Sequence, residues 1–197
     1  MRMVRYGFFG EDAGQRRFLA AYLLHCNTQN SAVAFESVEY FGKKFGPMNN
    51  KVVDRRCGDA CLEAFVLGYP VLDWLFVGRD VDSFDPARHQ HLSDTLRASI
   101  PGKWQGRTLL MLPVQCVEHW LLYLARYPAR EAREKTPNEQ VKKMVYADRA
   151  KSHDAIVNEL NATLSPERIA WLAEVSASFR SFHQQVKAYL GALGLQP

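Results

Sequence analysis

The sequence predicts an α/β protein: a Rossmann-like parallel sheet of about four strands flanked by helices, with a C-terminal helical appendage. Three observations predict it. Up to residue 114, short apolar and aromatic runs alternate with stretches of helical period. Turn and cap residues fall at the changeovers. Beyond Val114 only helical spacing remains.

Taken in order, residues 3–9 form a short apolar run closed by Gly10, as a strand buried on both faces would be. Residues 13–26 place Phe18, Leu19, Tyr22, Leu23 and Cys26 on one helical face. A second strand is expected over 32–41, rich in Val, Phe and Tyr, and a second helix over 51–67 before Gly68. The third strand is expected over 71–78. The third helix, over 86–98, has Asp85 as N-cap and Pro86 at its first position. Residues 108–114 are the fourth strand. Beyond it, Val117, Leu121 and Leu124 space a helix that Pro128 ends. The charged stretch 129–152 reads either as a mobile connection or as an exposed helix. Ile156, Val157, Leu160 and Leu164 mark another helix, Ser165 caps the next, and Phe179, Phe182, Val186, Tyr189 and Leu193 mark the last. The division expected is a sheet domain over 1–125 and a helical extension over 126–197.

Charge is unevenly distributed. Residues 1–100 carry 12 basic and 12 acidic side chains, whereas 101–197 carry 13 and 9, so the whole net charge of +4 lies in the second half. A basic half suits a polyanionic ligand, and a solvated helical surface has the same composition. No apolar stretch approaches a membrane span, and Glu11 and Asp12 interrupt the N-terminal apolar run, so neither an anchor nor a signal peptide is expected and the cytoplasm is the default. Cys26, Cys57, Cys61 and Cys116 lack zinc spacing; Cys57 and Cys61 share one helical face with Val53 and Phe65 and read as core thiols. A GxxxxGK[ST] loop, GxGxxG and GxSxG are all absent, which excludes a Walker-type NTPase, a Rossmann dehydrogenase and a nucleophile-elbow hydrolase.

The candidate chemistry lies at strand ends. Gly10-Glu11-Asp12 follows the first strand and Asp80-Val81-Asp82 follows the third. In extended chain residues i and i+2 point the same way, so Asp80 and Asp82 are expected to present two carboxylates to one point, as a hard cation such as Mg²⁺ or Mn²⁺ requires. Glu11, on another strand end, is a candidate third ligand or general acid/base. The competing reading is helix capping, for which Asp12 and Asp85 are well placed.

With Glu11 in Gly-Glu-Asp, and Asp80 and Asp82 in Gly78-Arg79-Asp80-Val81-Asp82, the chain resembles the TOPRIM (topoisomerase–primase) domain. More narrowly it is similar to small stand-alone bacterial TOPRIM proteins related to the OLD (overcoming lysogenization defect) nucleases. Glu118-His119-Trp120 matches their Glu-x-Trp, and Ser178-Phe179 matches a Ser-Phe near their C-terminus. Asp12 stands where that pattern often has glycine. The resemblance implies Mg²⁺-dependent phosphodiester hydrolysis on DNA or RNA, as the effector of an anti-phage system working with an ATPase partner. It implies Glu11, Asp80 and Asp82 at a metal, with Glu118 either at a second metal or simply a helix N-terminal acid. It also implies a lysine beyond the acidic motifs, for which Lys142 and Lys143 are candidates beside the reading of a solvated basic face. Arg79 either touches phosphate or pairs with an acid. His119 is expected to be structural. The alternative is a non-catalytic module of the same fold that binds nucleic acid or a partner protein.

Overall fold

The computed structural model describes residues 1–29, 32–46, 48–129 and 135–194. Four strands, β1 (Arg2–Gly10), β2 (Val33–Ser37), β3 (Trp74–Gly78) and β4 (Thr108–Met111), form one parallel sheet in the order β2-β1-β3-β4. Parallel neighbours need crossover connections, which helices supply. Helix α1 (Ala13–Gln29) links β1 to β2. Helices α2 (Glu39–Lys44) and α3 (Asn50–Leu62), the latter continued by a π-helical turn Glu63–Leu67, link β2 to β3. Helices α4 (Pro86–Ser99) and α5 (Gly102–Gln105) link β3 to β4. The chain leaves β1 toward β2, then returns across it to β3. The order therefore reverses between β1 and β3, and open α/β sheets place ligands outside the carboxyl ends of strands at such a switch point.

Alternation along the strands sorts the core into two layers. Tyr6, Phe8, Trp74, Phe76, Leu109 and Met111 face α1 and the C-terminal helices. Phe9, Leu75, Val77, Leu110 and Leu112 face α2 to α5. The C-terminal helices are α6 (Glu118–Ala125), α7 (Asn138–Val145), α8 (His153–Asn161), α9 (Pro166–Val175) and α10 (Ala177–Ala192). They share the first of these cores with the sheet: Phe182 of α10 lies 6.3 Å from Phe76, and Tyr189 lies 6.0 Å from Trp74, ring to ring. Helix α6 is at the centre of this layer, with every residue from Glu118 to Leu124 buried, as a helix apolar on nearly all sides must be.

The expected caps are present. Asp85 accepts from Ala87 N–H at 2.9 Å and Ser165 from Arg168 N–H at 3.2 Å. The second strand is shorter than expected. After Val38 N–H bonds Tyr6 O, the chain turns into α2, because burying Phe41 against the sheet outweighs the β preference of Tyr40 and Phe41. Strand β3 starts at Trp74 rather than 71, and β4 ends at Met111 rather than 114. Within 129–152, residues 138–145 form α7 with Val141 and Val145 buried, while 130–134 lie outside the described residues. Cys57 and Cys61 are fully buried core thiols.

Candidate functional site

Strands β1 and β3 pair directly, Gly10 opposite Gly78, and Glu11 N–H bonds Gly78 O at 3.2 Å. The first acidic motif thus meets the second at the switch point. Asp80 N–H donates to Glu11 Oε2 at 3.3 Å. Gly78 is required here: a Cβ would run into Phe8 and the Gln15 side chain, which passes close over the strand. Gln15 is fully buried, and its Nε2 donates to Asp80 Oδ1. Its Oε1 has no hydrogen-bond partner among the described residues.

Asp82 does not join Asp80. Its backbone is left-handed (φ 55°), so the extended-chain rule that would align the two carboxylates fails. Asp80 turns inward to Gln15, whereas Asp82 turns to solvent and pairs with Arg79 Nη1 at 3.3 Å. Arg79 is nearly buried and pairs with acids rather than standing free for a phosphate. It lies 3.1 Å from Asp54 and 3.6 Å from Glu11, and also donates to Asp80 O.

Past β3 the chain stays laced to the segment leading into α6: Arg79 N–H bonds Met111 O, Val81 N–H bonds Pro113 O, and Asp82 N–H bonds Gln115 O. This lacing brings Glu118, at the start of α6, toward Asp80. Tyr146 O–H donates to Glu118 Oε1 at 3.2 Å. Asp12, Glu118, Lys142, Tyr146 and Arg17 line one cavity of about 320 Å³. Asp12 also caps α1, accepting from Gly14 N–H. Lys142 and Tyr146, four apart, share a face toward this cavity; Lys143 is exposed and is not among its lining residues. His119 is fully buried, with Nε2 2.9 Å from Thr136 O and Nδ1 3.4 Å from Cys116 Sγ, and is structural.

The electrostatics show which charges act on Asp80. Burial raises the Asp80 carboxyl well above its usual range, and the negative charges of Glu11, Asp12 and Glu118 push it further, while the Gln15 hydrogen bond opposes them. Burial likewise raises Glu11 against the pull of Arg79. Asp12 is raised by burial and by Glu118, against its bond from Gly14 and the charge of Lys142. Burial pulls the Lys142 ammonium down, but Glu118, with Cys116, Asp80 and Glu139, more than offsets it and the net shift is upward. Asp80 thus lies in the field of Glu11, Asp12 and Glu118, with Lys142 at the edge of the group, while Asp82 acts on Glu11.

This set fits Mg²⁺ or Mn²⁺ in donor type and in its excess of negative charge, since both ions take carboxylate oxygens. Among the described residues no three Asp, Glu, His or Cys side chains close into a ready ligand group. Asp12 was legible as an acid beside Glu11 but read as a cap only. Gln15 had a signal too, as the polar residue on the apolar stripe of Phe18, Leu19 and Tyr22. Asp54 and Tyr146 carried none.

No helix among the described residues is long and apolar enough to cross a membrane. Comparison of the chain with protein-family models, curated proteins and solved structures found no match.

Proposed function

We propose that the chain is a divalent-cation-dependent phosphodiester hydrolase acting on DNA or RNA, the effector of a defence system whose ATPase resides on another chain. The observation that carries this is the gathering of Glu11, Asp12, Asp80 and Glu118 at the β1/β3 switch point, three of them held above their usual carboxyl range. Such an arrangement costs stability unless a cation or proton relieves it. Asp80 and Asp12 would hold Mg²⁺ or Mn²⁺, which supplies charge neutralisation at a phosphoryl group when bound, with Glu11 and Glu118 nearby. Lys142, facing the same cavity, offers an ammonium to a phosphate oxygen. Glu11, half-buried with its carboxyl raised by burial, is the candidate for proton transfer.

Mg²⁺-dependent nicking of supercoiled plasmid tests this reading: Asp80→Asn and Glu11→Gln are expected to abolish it. Calorimetric titration of Mn²⁺ tests the ligand set, with heat lost in Asp80→Asn and Asp12→Asn and kept in Asp82→Asn. Asparagine still caps a helix, so the Asp12 variant removes charge and leaves α1 its cap.

The second reading, a non-catalytic binding module, is favoured by Arg79, whose guanidinium already stands between Glu11 and Asp82. Absence of Mn²⁺ binding together with retained nucleic-acid binding would select it.

A further inference from the structure

Arg16 differs from the other half-buried arginines. Among the described residues these are Arg17, Arg56, Arg79, Arg97, Arg107 and Arg168, and each donates to or pairs with a protein oxygen. The Arg16 side chain makes no hydrogen bond or ion pair among the described residues, and its Nε is closed off from solvent without a partner. A guanidinium drawn partly out of water is stabilised by a counter-charge or by acceptors. The described part of the chain supplies neither, so an anion is the ligand that fits.

Because Nε is enclosed, a ligand must meet the Nη edge. Arg16 lines a cavity of about 250 Å³ together with Ser37, Glu39, Gly42 and Lys43, over Phe8. A Cβ added to Gly42 would meet only Arg16 Nη1, at 3.9 Å, so the guanidinium and the open side of Gly42 front the same space. Lys43 brings a second cation. Its pairing with Glu39, at 3.4 Å, joins two side chains that are 80% and 85% exposed, and such a pair contributes little and yields readily to another anion. The charges of this lining sum to about +1, against the acidic excess of the cavity beside Asp12 and Glu118.

The placement follows from the sheet. Ser37 ends β2, which pairs with β1 on the side away from β3. Arg16 directly follows Gln15, which reaches Asp80. The basic cavity therefore lies along the same carboxyl edge as the acids, one to two strand spacings away, about 5–10 Å. Neighbouring phosphates of an extended strand are separated by distances of that order, and a guanidinium fork matches two oxygens of one phosphate.

We propose that Arg16, with Lys43 beside it, holds a second backbone phosphate of the strand whose scissile phosphate lies at Asp80, so that the strand crosses the carboxyl edge of the sheet from β3 toward β2. That the phosphate belongs to a nucleic acid rests on the phosphodiester reading above; that the cavity takes a phosphate rests on Arg16.

Fluorescence anisotropy of labelled (dT)₈ and (rU)₈ over a range of salt, in EDTA so that nothing is cleaved, tests it. Arg16→Met keeps the packing of the stem and removes the charge. It is expected to bind about tenfold more weakly and to lower the slope of log K against log salt by about 0.7. Arg16→Lys should keep the slope and lose part of the affinity, because the fork is gone. Gly42→Leu, which fills the cavity and leaves Arg16 in place, should weaken binding, and Glu39→Gln should strengthen it. Arg16→Met deletes no hydrogen bond, so its Tm in EDTA should not fall. Absence of binding to both strands by wild type, or an unchanged slope and affinity in Arg16→Met, overturns the proposal. Melts with inorganic pyrophosphate form the second arm: a Tm rise lost in Arg16→Met, with an unchanged slope for the strands, would assign the cavity to a free anion and overturn the strand path. A reduced slope in Arg16→Met from a protein that never cleaves with Mg²⁺ would remove the hydrolase reading and leave the phosphate site standing; cleavage with an unchanged slope would do the reverse.

Discussion

Trp120 Nε1 donates to Ser178 Oγ at 2.9 Å, joining α6 to α10 across 58 residues of chain. Both groups are buried, and the indole also packs against Phe18, Phe179 and Phe182 at ring separations of 5.2, 5.3 and 5.9 Å. Two short motifs noted separately in the sequence are thus one structural contact. It fixes the helix that begins with Glu118. Ser178→Ala leaves a buried indole N–H unsatisfied, which costs about 1–3 kcal/mol. At roughly 2–4 °C per kcal/mol for a chain of this size, thermal unfolding should register the loss. A double-mutant cycle with Trp120→Phe should show a coupling of about 0.5 kcal/mol or more; strict additivity would mean that the bond contributes nothing.

Asp80 sets a pH dependence of definite sign. Its folded-state carboxyl lies above the unfolded value, so the folded state binds more protons wherever pH falls between the two. Stability in the absence of divalent ions must then fall as pH rises through the folded value, and Glu11 and Asp12 act in the same direction. Asp80→Asn keeps an acceptor for Gln15 and removes the charge. Melts in EDTA should show the variant more stable than wild type at pH 8, the gap closing as pH is lowered. A wild-type protein more stable than the variant at pH 8 would contradict the burial of this charge.

Arg79 is held by three acids, and its loss should be felt in folding before it is felt in binding. Arg79→Met would leave Glu11 and Asp54 without their cation, at a cost of roughly 3–5 kcal/mol if the pairs behave as buried ones. Asp82, half-exposed, should be nearly silent, with Asp82→Asn costing under about 1 kcal/mol. Added Mn²⁺ should partly restore the melting temperature of Arg79→Met, since a cation in the vacated space replaces the guanidinium. If Arg79→Met melts like wild type and only loses nucleic-acid affinity, the residue is a phosphate contact after all.

Much of this was legible in the sequence, and the places where it was not have physical causes. The alternation of apolar runs with helical spacing marked four parallel strands because strands buried on both faces leave little choice of residue. Gly10-Glu11 and Gly78-Arg79-Asp80 marked strand ends, and the structure makes those ends neighbours. Asp82 was misplaced because i, i+2 geometry holds only while the chain stays extended, and a single left-handed residue breaks it. Asp12 was undervalued because one carboxylate can cap a helix and face a cavity at once. Asp54 reaches Arg79 across 25 residues and Tyr146 reaches Glu118 across 28, and such pairings are set by packing that no local pattern records. Residues 39–41, the first half of α2, read as strand because Tyr40 and Phe41 satisfy β preference locally while Phe41 satisfies the core globally.

The two adjacent lysines of α7 separate function from surface. Lys142 lines the acidic cavity and is drawn upward in pKa by Glu118 and its neighbours; Lys143, one residue on, is turned about 100° around the helix and is not part of the lining. If Lys142 meets a phosphate, Lys142→Ala should weaken binding to single-stranded DNA and reduce the slope of log K against log salt by about 0.7. Lys143→Ala should change neither. Lys142→Arg should retain the slope, because the charge remains. The same Lys142→Ala variant removes a positive charge from the field of Asp12, Asp80 and Glu118, so its EDTA melt should fall most at high pH, where those acids are ionised. The two readouts divide the roles. A Tm loss with an unchanged salt slope would make Lys142 a counter-charge for the acids alone, whereas a reduced slope places a phosphate in the cavity between α1, α6 and α7.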